Sequence, residues 1–406
     1  MNKFREMIQN SVAVGASDIH LASGHPVVTR TKGIIKFDNS IQWTPVEVDS
    51  LVRKLLSPKQ IDTLRTRHSV DYATTIDGIR LRVNIFNETR GLGLAIRLLP
   101  GKPPTIDELN LHPSLHKICE LPSGLVLICG ATGMGKTTTI AAIIEEINSS
   151  RACHIITIED PIEYSFLSKK AFVQQRELGT HTGSFERGLM DSLREDPDVI
   201  VIGELREPET MRLCINAAEA GHLVIATLHA TNAEEAIYRL CNSAPPEAQN
   251  EVRYQLASTL SWLVVQQLVY INEAKVRAPL LSILRGTQAV KSLIRENHLQ
   301  QIESSIQMGK ADGMFTHDRY IKEFLNTRTT FVPPARVFRP FAEISQTVPY
   351  RSSIMKDHTR GTEPTDQPRG KVEKTTAGGK ESKNTEEFVS IDEHVPIEEL
   401  FREYER

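Results

Sequence analysis

Four short apolar runs dominate the pattern of the middle of the chain; a glycine-rich loop follows the first, and polar residues directly follow the other three. Runs of this kind, rich in β-branched side chains, are typical of strands in a parallel sheet that is covered on both faces. Because parallel strands end at one edge of the sheet, where ligands bind, we expect the polar residues after each run to converge there. The runs span residues 125–129, 154–158, 198–203 and 223–228.

The first hundred residues show another pattern, in which apolar and polar positions alternate. Residues 70–76 and 80–86 both alternate, and Asp77-Gly78 between them is a strong two-residue hairpin signal. The pattern predicts a small α+β domain with an antiparallel sheet. Further strands are predicted at residues 17–21, 27–30 and 94–99, and helices at the N-terminus and at residues 46–56 and 58–67.

The same alternation places two arginines, Arg82 and Arg97, on one polar face of the N-terminal sheet. Residues Leu81, Val83 and Ile85 would occupy the opposite, buried face. On spacing alone, a solvated basic face is the favoured interpretation of the arginine pair.

The run at 125–129 leads into Gly-Ala-Thr-Gly-Met-Gly-Lys-Thr at 130–137, the full phosphate-loop pattern, and a helical run follows. The glycines let backbone N–H groups turn toward phosphates, and the helix N-terminus adds partial positive charge. A simple glycine turn is the alternative, which eight matching positions disfavour. We expect ATP to be bound by Gly130, Ala131, Thr132, Gly133, Met134, Gly135, Lys136, Thr137 and Thr138, with Lys136 on the β- and γ-phosphates and the Thr137 hydroxyl on Mg²⁺.

Acidic and imidazole groups follow the other runs. Glu204 comes directly after a buried strand, a position that holds Mg²⁺ directly or through water. His222 and His229 flank residues 223–228 and could sense the γ-phosphate, although a lone histidine is more often structural. One further carboxylate must deprotonate the attacking water. The candidates, each of which could instead cap a helix, are Glu159, Asp160 and Glu163.

The composition is that of an ordinary soluble protein, and we expect it in the cytoplasm. Its 406 residues suggest two domains, and a net charge of −3 gives no reason to expect nucleic acid as a partner. No apolar segment is long enough to span a membrane, and the N-terminus lacks the apolar core of a signal peptide. The five cysteines form no C-x-x-C pair, which favours reduced, buried thiols.

Changes in composition divide the chain. A Pro/Gly break at 101–104 predicts an N-terminal α+β domain at 1–100, a linker at 101–108 and a nucleotide domain at 109–345. Residues 346–406 form a tail whose segment 356–387 has almost no apolar residues and is predicted to be disordered. Residues 388–406 carry apolar side chains among acidic ones, which indicates either an amphipathic docking segment or a frayed helix without a role.

These motifs, in this order, resemble the ATPases of type II and type IV secretion systems, most closely the PilT-type pilus retraction motors. The resemblance covers roughly residues 1–325. Besides the phosphate loop, the matching segments are Ser17–His20, Arg80–Asn84, the aspartate box Thr157–Glu163, the Walker B segment Arg194–Glu204 and the histidine box Ala218–His229.

The resemblance implies a PAS-like N-terminal domain, a RecA-like ATPase domain and a homohexameric ring with nucleotide between the two domains. It also implies that Glu163 is the water-activating base, that Glu204 is the Walker B glutamate, and that Arg82 and Arg97 contact the γ-phosphate. The last point reverses the preference for a solvated face. The implied function is ATP hydrolysis that drives type IV pilus retraction and twitching motility. The motor would lie peripherally on the inner membrane against a pilus platform protein, with other pilus or secretion ATPases as further partners.

The sequence departs from the family pattern at a few positions. Met134 replaces a small loop residue, where only backbone is needed, and His181 replaces a usual aspartate. In the retraction motif at 289–295, Lys291 and Ser292 replace arginine and asparagine, and lysine cannot make the same forked contacts. The four-cysteine insertion of extension and secretion motors is absent, which favours retraction.

Three alternatives remain at this point. The chain could be a related ATPase that powers conjugation, secretion or pilus assembly. It could be a weakly hydrolysing, nucleotide-dependent scaffold, although a scaffold has no need of complete hydrolytic chemistry. A DNA-translocating RecA relative would require a basic pore, which the mild acidity of the chain does not support.

Overall fold

The computed structural model describes residues 1–31, 34–99, 101–272 and 274–333. The predicted tail at 346–406, with its disordered and docking segments, therefore lies outside the described residues. Within the described ranges, no helix is both long and apolar enough to cross a membrane.

The described part of the first hundred residues forms a six-stranded antiparallel sheet with three helices. Its strand order is β3-β2-β1-β6-β5-β4. In chain order the elements are α1 (Asn2–Ala13), β1 (Asp18–Ala22), β2 (Pro26–Thr31), β3 (Ile34–Gln42), α2 (Pro45–Leu55), α3 (Pro58–Arg67), β4 (Ser69–Ile76), β5 (Ile79–Glu88) and β6 (Gly91–Leu98).

The N-terminal sheet follows the predicted alternation. Leu81, Val83 and Ile85 on β5 are fully buried in a core shared with the helices, whereas the residues between them are partly exposed. A reciprocal pair of bonds between Thr44 and Glu47 caps α2 at its start. The sequence did not predict β3, because this edge strand is largely exposed on both faces and so lacks the alternation of buried positions.

The described residues after 101 form a seven-stranded, mainly parallel sheet with the order β13-β12-β7-β11-β10-β8-β9, in which only β13 runs antiparallel to its neighbour. The elements are α4 (His116–Cys119), β7 (Gly124–Cys129), α5 (Lys136–Ser150), β8 (His154–Glu159), β9 (Phe172–Glu177), α6 (Phe185–Ser192), β10 (Val199–Ile202), α7 (Pro208–Glu219), β11 (Leu223–Leu228), α8 (Ala233–Cys241), α9 (Gln249–Thr259), β12 (Leu260–Ile271), β13 (Val276–Arg285), α10 (Gln288–Arg295), α11 (Ile302–Met308) and α12 (His317–Tyr320).

All four predicted apolar runs are central strands of this sheet. Strands β7, β10 and β11 are buried at every position, and a hydrophobic cluster covers each face of the sheet. The expected α/β fold with a parallel ATPase sheet is therefore confirmed. The carboxyl ends of the central strands meet at one edge, as the register of β7 with β11 and of β8 with β10 requires.

The segment that joins the two sheets contains little helix. Helix is confined to a 3₁₀ turn at Pro113–Leu115 and to α4, and Asn110 adopts a positive φ of 58° that interrupts any longer helix. The Asn110 amide group also bonds both backbone polar groups of Val332, at 3.0 and 2.8 Å. The last described residues are thereby held against this segment.

Candidate functional site

The phosphate loop lies between β7 and α5, as the pattern predicts. Gly130, Gly133 and Gly135 adopt φ values of 146°, 79° and 83°, which favour glycine. A Cβ on Gly130 would lie 2.4 Å from the backbone oxygen of Gln266 on the neighbouring strand β12. Glycine at this position therefore allows the loop to pass close against β12.

The side chain of Gln266 holds the phosphate loop through two hydrogen bonds. Its amide nitrogen donates to the Met134 carbonyl oxygen at 2.7 Å, and its amide oxygen accepts from the Thr139 hydroxyl at 2.8 Å. Gln266 is almost completely buried, so both bonds are shielded from water. One residue thus joins the middle of the loop to the first turn of α5.

The side chain of Lys136, the first residue of α5, folds back onto the phosphate loop. Its Nζ donates to the carbonyl oxygens of Gly130 at 2.8 Å and Ala131 at 3.0 Å. Burial lowers the pKa of Lys136, and the negative charge of Glu204 opposes this effect. The charges of Lys136 and Glu204 therefore lie close enough to interact.

Glu204 lies at the carboxyl edge of the sheet beside the phosphate loop. Its Oε1 is 3.0 Å from His229 Nε2, and its Oε2 is 2.6 Å from an Arg206 guanidinium nitrogen. Another nitrogen of Arg206 lies 3.8 Å from Asp160 in the aspartate box. The expected convergence of Glu204 and His229 is present, and Arg206 links it to the aspartate box.

His222 lies at the opposite edge of the sheet from Glu204 and His229. It precedes β11 (Leu223–Leu228), whereas His229 follows it, so the two histidines are seven positions apart along an extended strand, or about 23 Å at about 3.3 Å per residue. The His222 Nδ1 is 2.8 Å from the Pro197 carbonyl oxygen. The expectation that both histidines meet the nucleotide is therefore corrected: within one chain, His222 lies at the amino end of the strands, away from the phosphate loop.

The three candidate bases have different surroundings. The Glu159 carboxylate is buried and accepts from the Thr157 hydroxyl at 2.6 Å and the Gln175 amide at 3.2 Å. Burial raises the pKa of Glu159 to about 7. Asp160 lies near Arg206, as described. Burial also raises the pKa of Glu163, against the positive charges of Arg82 and Arg97.

This comparison favours Glu163 as the base. A raised pKa makes a carboxylate a stronger proton acceptor, provided that water reaches it. Glu163 is half-buried and lies in the field of two arginines, whereas Glu159 is enclosed by hydrogen-bonding partners.

Arg82 and Arg97 are direct cross-strand partners in the register of β5 with β6, so they share a face as predicted. Arg82 pairs with Asp71 at 2.6 Å, and Arg97 pairs with Asp18 at 2.9 Å. Both arginines act electrostatically on Glu163 of the same chain. The N-terminal sheet therefore presents this pair toward the aspartate box.

The departures from the family pattern have local explanations. The Nδ1 of His181 accepts from the Glu177 backbone N–H at 2.9 Å, a bond that an aspartate carboxylate could also accept. Lys291 Nζ donates to the Ser258 carbonyl oxygen at 3.1 Å and ties α10 to the end of α9. Met134 contributes its backbone oxygen to the bond with Gln266.

Sequence reasoning missed several residues that shape this site. Gln266 interrupts an apolar run at 263–269, and a polar residue inside a buried strand was a usable signal. Arg206 is the second residue after the Walker B segment, but nothing in its spacing indicates that it joins two motifs. The role of Gln175 depends on contacts with a loop that precedes it in the chain, which the sequence pattern does not show.

The chain is similar to several known proteins. The profile of the type II/IV secretion system protein family matches residues 2–312. The type IV pilus retraction ATPase PilT of Pseudomonas aeruginosa is 39% identical over 319 residues, which cover 78% of this chain and 92% of the relative. A twitching motility protein of Neisseria gonorrhoeae is 39% identical over 297 residues, covering 73% and 79% respectively.

A solved structure shares the fold. The crystal structure of the pilus retraction motor PilT with bound ADP superposes with a TM-score of 0.74 at 38% identity, over 80% of this chain and 94% of that chain. The profile match covers the larger part of the chain, including every motif described above. The chain therefore belongs to the type II/IV secretion system protein family.

Proposed function

We propose that this chain is an ATP-hydrolysing motor that drives retraction of type IV pili. The observation that carries the proposal is the meeting of two kinds of residue at one edge of the ATPase sheet. Lys136, Glu204 and Glu163 come from the nucleotide-binding part, and Arg82 and Arg97 face Glu163 from the N-terminal sheet. A hydrolytic site assembled from two sheets can respond to their relative movement.

In the proposed reaction, Glu163 accepts a proton from water as the water oxygen attacks the γ-phosphorus of ATP. The bond from that phosphorus to the β,γ-bridging oxygen breaks, and ADP and phosphate are the products. Lys136 and the loop N–H groups hold the phosphates. Arg82 and Arg97 stabilise the negative charge that spreads over the γ-phosphoryl oxygens in the transition state.

The residues present fit Mg²⁺ bound together with ATP. Mg²⁺ at nucleotide sites is held by one or two protein oxygens together with phosphates and water, so it needs no all-protein cage. The described residues contain no cluster of three potential metal-ligating side chains. Thr137 and Glu204 would hold Mg²⁺, which neutralises phosphate charge when bound.

The proposal includes a homohexamer and a division into domains at 1–100 and 109–345, with 101–108 as the hinge. Loss of the γ-phosphate would release Arg82 and Arg97, and the N-terminal domain would then be free to rotate. Asp71 and Asp18, which already pair with these arginines, would receive them. Rotations around a ring could then act on a platform protein at the cytoplasmic face of the inner membrane.

Retraction is favoured over assembly or secretion by the similarity to proteins named as retraction ATPases over about four fifths of the chain. A related motor for secretion or conjugation is the second candidate, since the family includes these systems. The scaffold alternative is disfavoured because the site combines Glu163, Glu204 and two arginines.

The test is a count of surface pili by electron microscopy on cells that lack this gene. An excess of pili that cannot shorten, reversed by the wild-type gene but not by Glu163→Gln, is expected. Cells without pili would instead identify an assembly motor. An unchanged count would reject a pilus role and favour secretion or conjugation.

A further inference from the structure

A third arginine of the N-terminal sheet, Arg80, contacts the ATPase part directly. It lies on β5 and forms an ion pair with Glu177, the last residue of β9 in the other sheet. The side chains are only 17% and 7% exposed. Both charges are largely removed from water, so each depends on the other for compensation.

The ion pair surrounds the backbone of Ile162. Arg80 Nε donates to the Ile162 carbonyl oxygen at 3.4 Å, and the Ile162 N–H donates to Glu177 Oε2 at 3.1 Å. The same Oε2 receives the Arg80 guanidinium. Arg80, Glu177 and Ile162 therefore form one closed set of contacts, and Ile162 directly precedes Glu163.

The residue after Glu163 is held by different elements. The Tyr164 carbonyl oxygen accepts from the Gln175 amide at 2.9 Å, and its hydroxyl donates to Thr138 in the first turn of α5 at 3.3 Å. Glu163 is thus placed between two anchors. The anchor after Glu163 includes the phosphate-loop helix. The anchor before Glu163 includes a side chain of the N-terminal sheet.

We propose that Arg80 is a positioning residue for Glu163, through which the N-terminal sheet sets the orientation of the base. A displacement of the N-terminal sheet moves Arg80. Glu177 and Ile162 then transmit this movement to the backbone beside Glu163. Arg80 differs in this respect from Arg82 and Arg97, whose proposed contacts are with phosphate. The inference rests on the proposed function, in which Glu163 is the base.

The test compares Arg80→Ala and Arg80→Lys with wild type in the full-length protein. The measurements are kcat and KM for ATP and the affinity for a fluorescent ADP analogue. Misplacement of the base predicts that Arg80→Ala lowers kcat about 10- to 100-fold. We expect the KM for ATP and the affinity for ADP to stay within about threefold of the wild-type values, because the nucleotide contacts are unchanged. Arg80→Lys keeps the charge without the forked contacts and gives an intermediate kcat.

A double-mutant cycle separates positioning from independent effects. Glu177→Ala should lower kcat about as much as Arg80→Ala, and the double variant should lose little more than either one. Arg65→Ala, which removes an exposed ion pair on α3, is the matched control and should leave kcat unchanged. Glu177→Gln retains an acceptor for the Ile162 N–H and serves if an alanine variant does not fold.

The inference is overturned if Arg80→Ala keeps kcat within about twofold of wild type, or raises KM at unchanged kcat. Fully additive losses in the cycle would also overturn it. If Arg80→Ala does not fold, a wild-type kcat in both Arg80→Lys and Glu177→Gln would overturn it. Failure of the proposed function is seen separately, as absence of ATP hydrolysis in wild type or normal turnover of Glu163→Gln.

Discussion

Arg82 and Arg97 are directly opposed on neighbouring strands of the N-terminal sheet, and both bear on Glu163 in the ATPase part of the same chain. Each guanidinium is already paired with an aspartate of its own sheet. Because both ion pairs are partly exposed, they contribute little stability, and each guanidinium can exchange its aspartate for a shared anionic ligand. A γ-phosphate has the required charge and the acceptor oxygens.

Substituting either arginine should therefore slow chemistry more than binding. We expect Arg82→Ala and Arg97→Ala each to lower kcat by about 100- to 1,000-fold, the usual cost of one transition-state donor. ADP affinity should change little, because ADP has no γ-phosphate. Steady-state ATPase assays and titration with a fluorescent ADP analogue measure both quantities.

Arg53→Ala is the matched control, since Arg53 forms an exposed ion pair on α2, a helix of the same N-terminal part of the chain. If both arginine variants turned over ATP as fast as this control, the pair would be a solvated basic face.

The two hydrogen bonds of Gln266 to the phosphate loop and α5, here called the Gln266 clamp, predict a link between stability and nucleotide binding. Gln266→Leu keeps the side-chain volume but leaves the Thr139 hydroxyl and the Met134 carbonyl without this partner. We expect a loss of roughly 2–4 kcal/mol in the free energy of unfolding, from two buried hydrogen bonds. ATP affinity should also fall, because the loop is less well ordered.

Urea denaturation measures the free energy of unfolding, and isothermal titration measures the affinity. The neighbouring Gln267→Leu is the control, because Gln267 is exposed. Equal stability of the two variants would contradict the clamp.

Glu159 predicts a pH dependence of stability. Its pKa is about 7 in the folded chain, against an ordinary value of 4.5, so the folded state retains a proton that the unfolded state releases. The contribution of Glu159 is thus most favourable below pH 4.5 and is lost as the pH rises through about 7. Glu159→Gln, whose amide oxygen can accept the same two bonds, removes this loss.

We therefore expect Glu159→Gln to match wild type at pH 5 and to exceed its stability by about 1–3 kcal/mol at pH 8. Denaturant unfolding at both pH values measures the difference, and Glu120→Gln, at an exposed position, is the control. Parallel pH curves for wild type and Glu159→Gln would show that Glu159 does not titrate in this window.

Much of this architecture could be predicted from the pattern of the chain, because buried parallel strands require continuous apolar runs. The phosphate loop and the alternating hairpin around Asp77-Gly78 were predictable for a second reason, because local backbone geometry restricts which residues can occupy these positions. The edge strand β3 was not, since exposed positions carry no burial pattern.

Within the candidate site, the limit of prediction was long-range contact. The proximity of Glu204 to His229 follows from strand ends meeting at one edge. His222 was misplaced because the histidine box was treated as one unit, although a whole strand separates its ends. Arg80 and Glu177, 97 residues apart, meet through the packing of two sheets.

We propose that the chain hydrolyses ATP at the site formed by Lys136, Glu163 and Glu204. The most direct test measures phosphate release and nucleotide binding in parallel for wild type, Lys136→Ala, Glu163→Gln and Glu204→Ala, with the exposed Glu251→Gln as control. We expect Lys136→Ala to lose ATP binding, and both glutamate variants to bind ATP without turning it over. Turnover that persists in both glutamate variants would contradict the assigned roles.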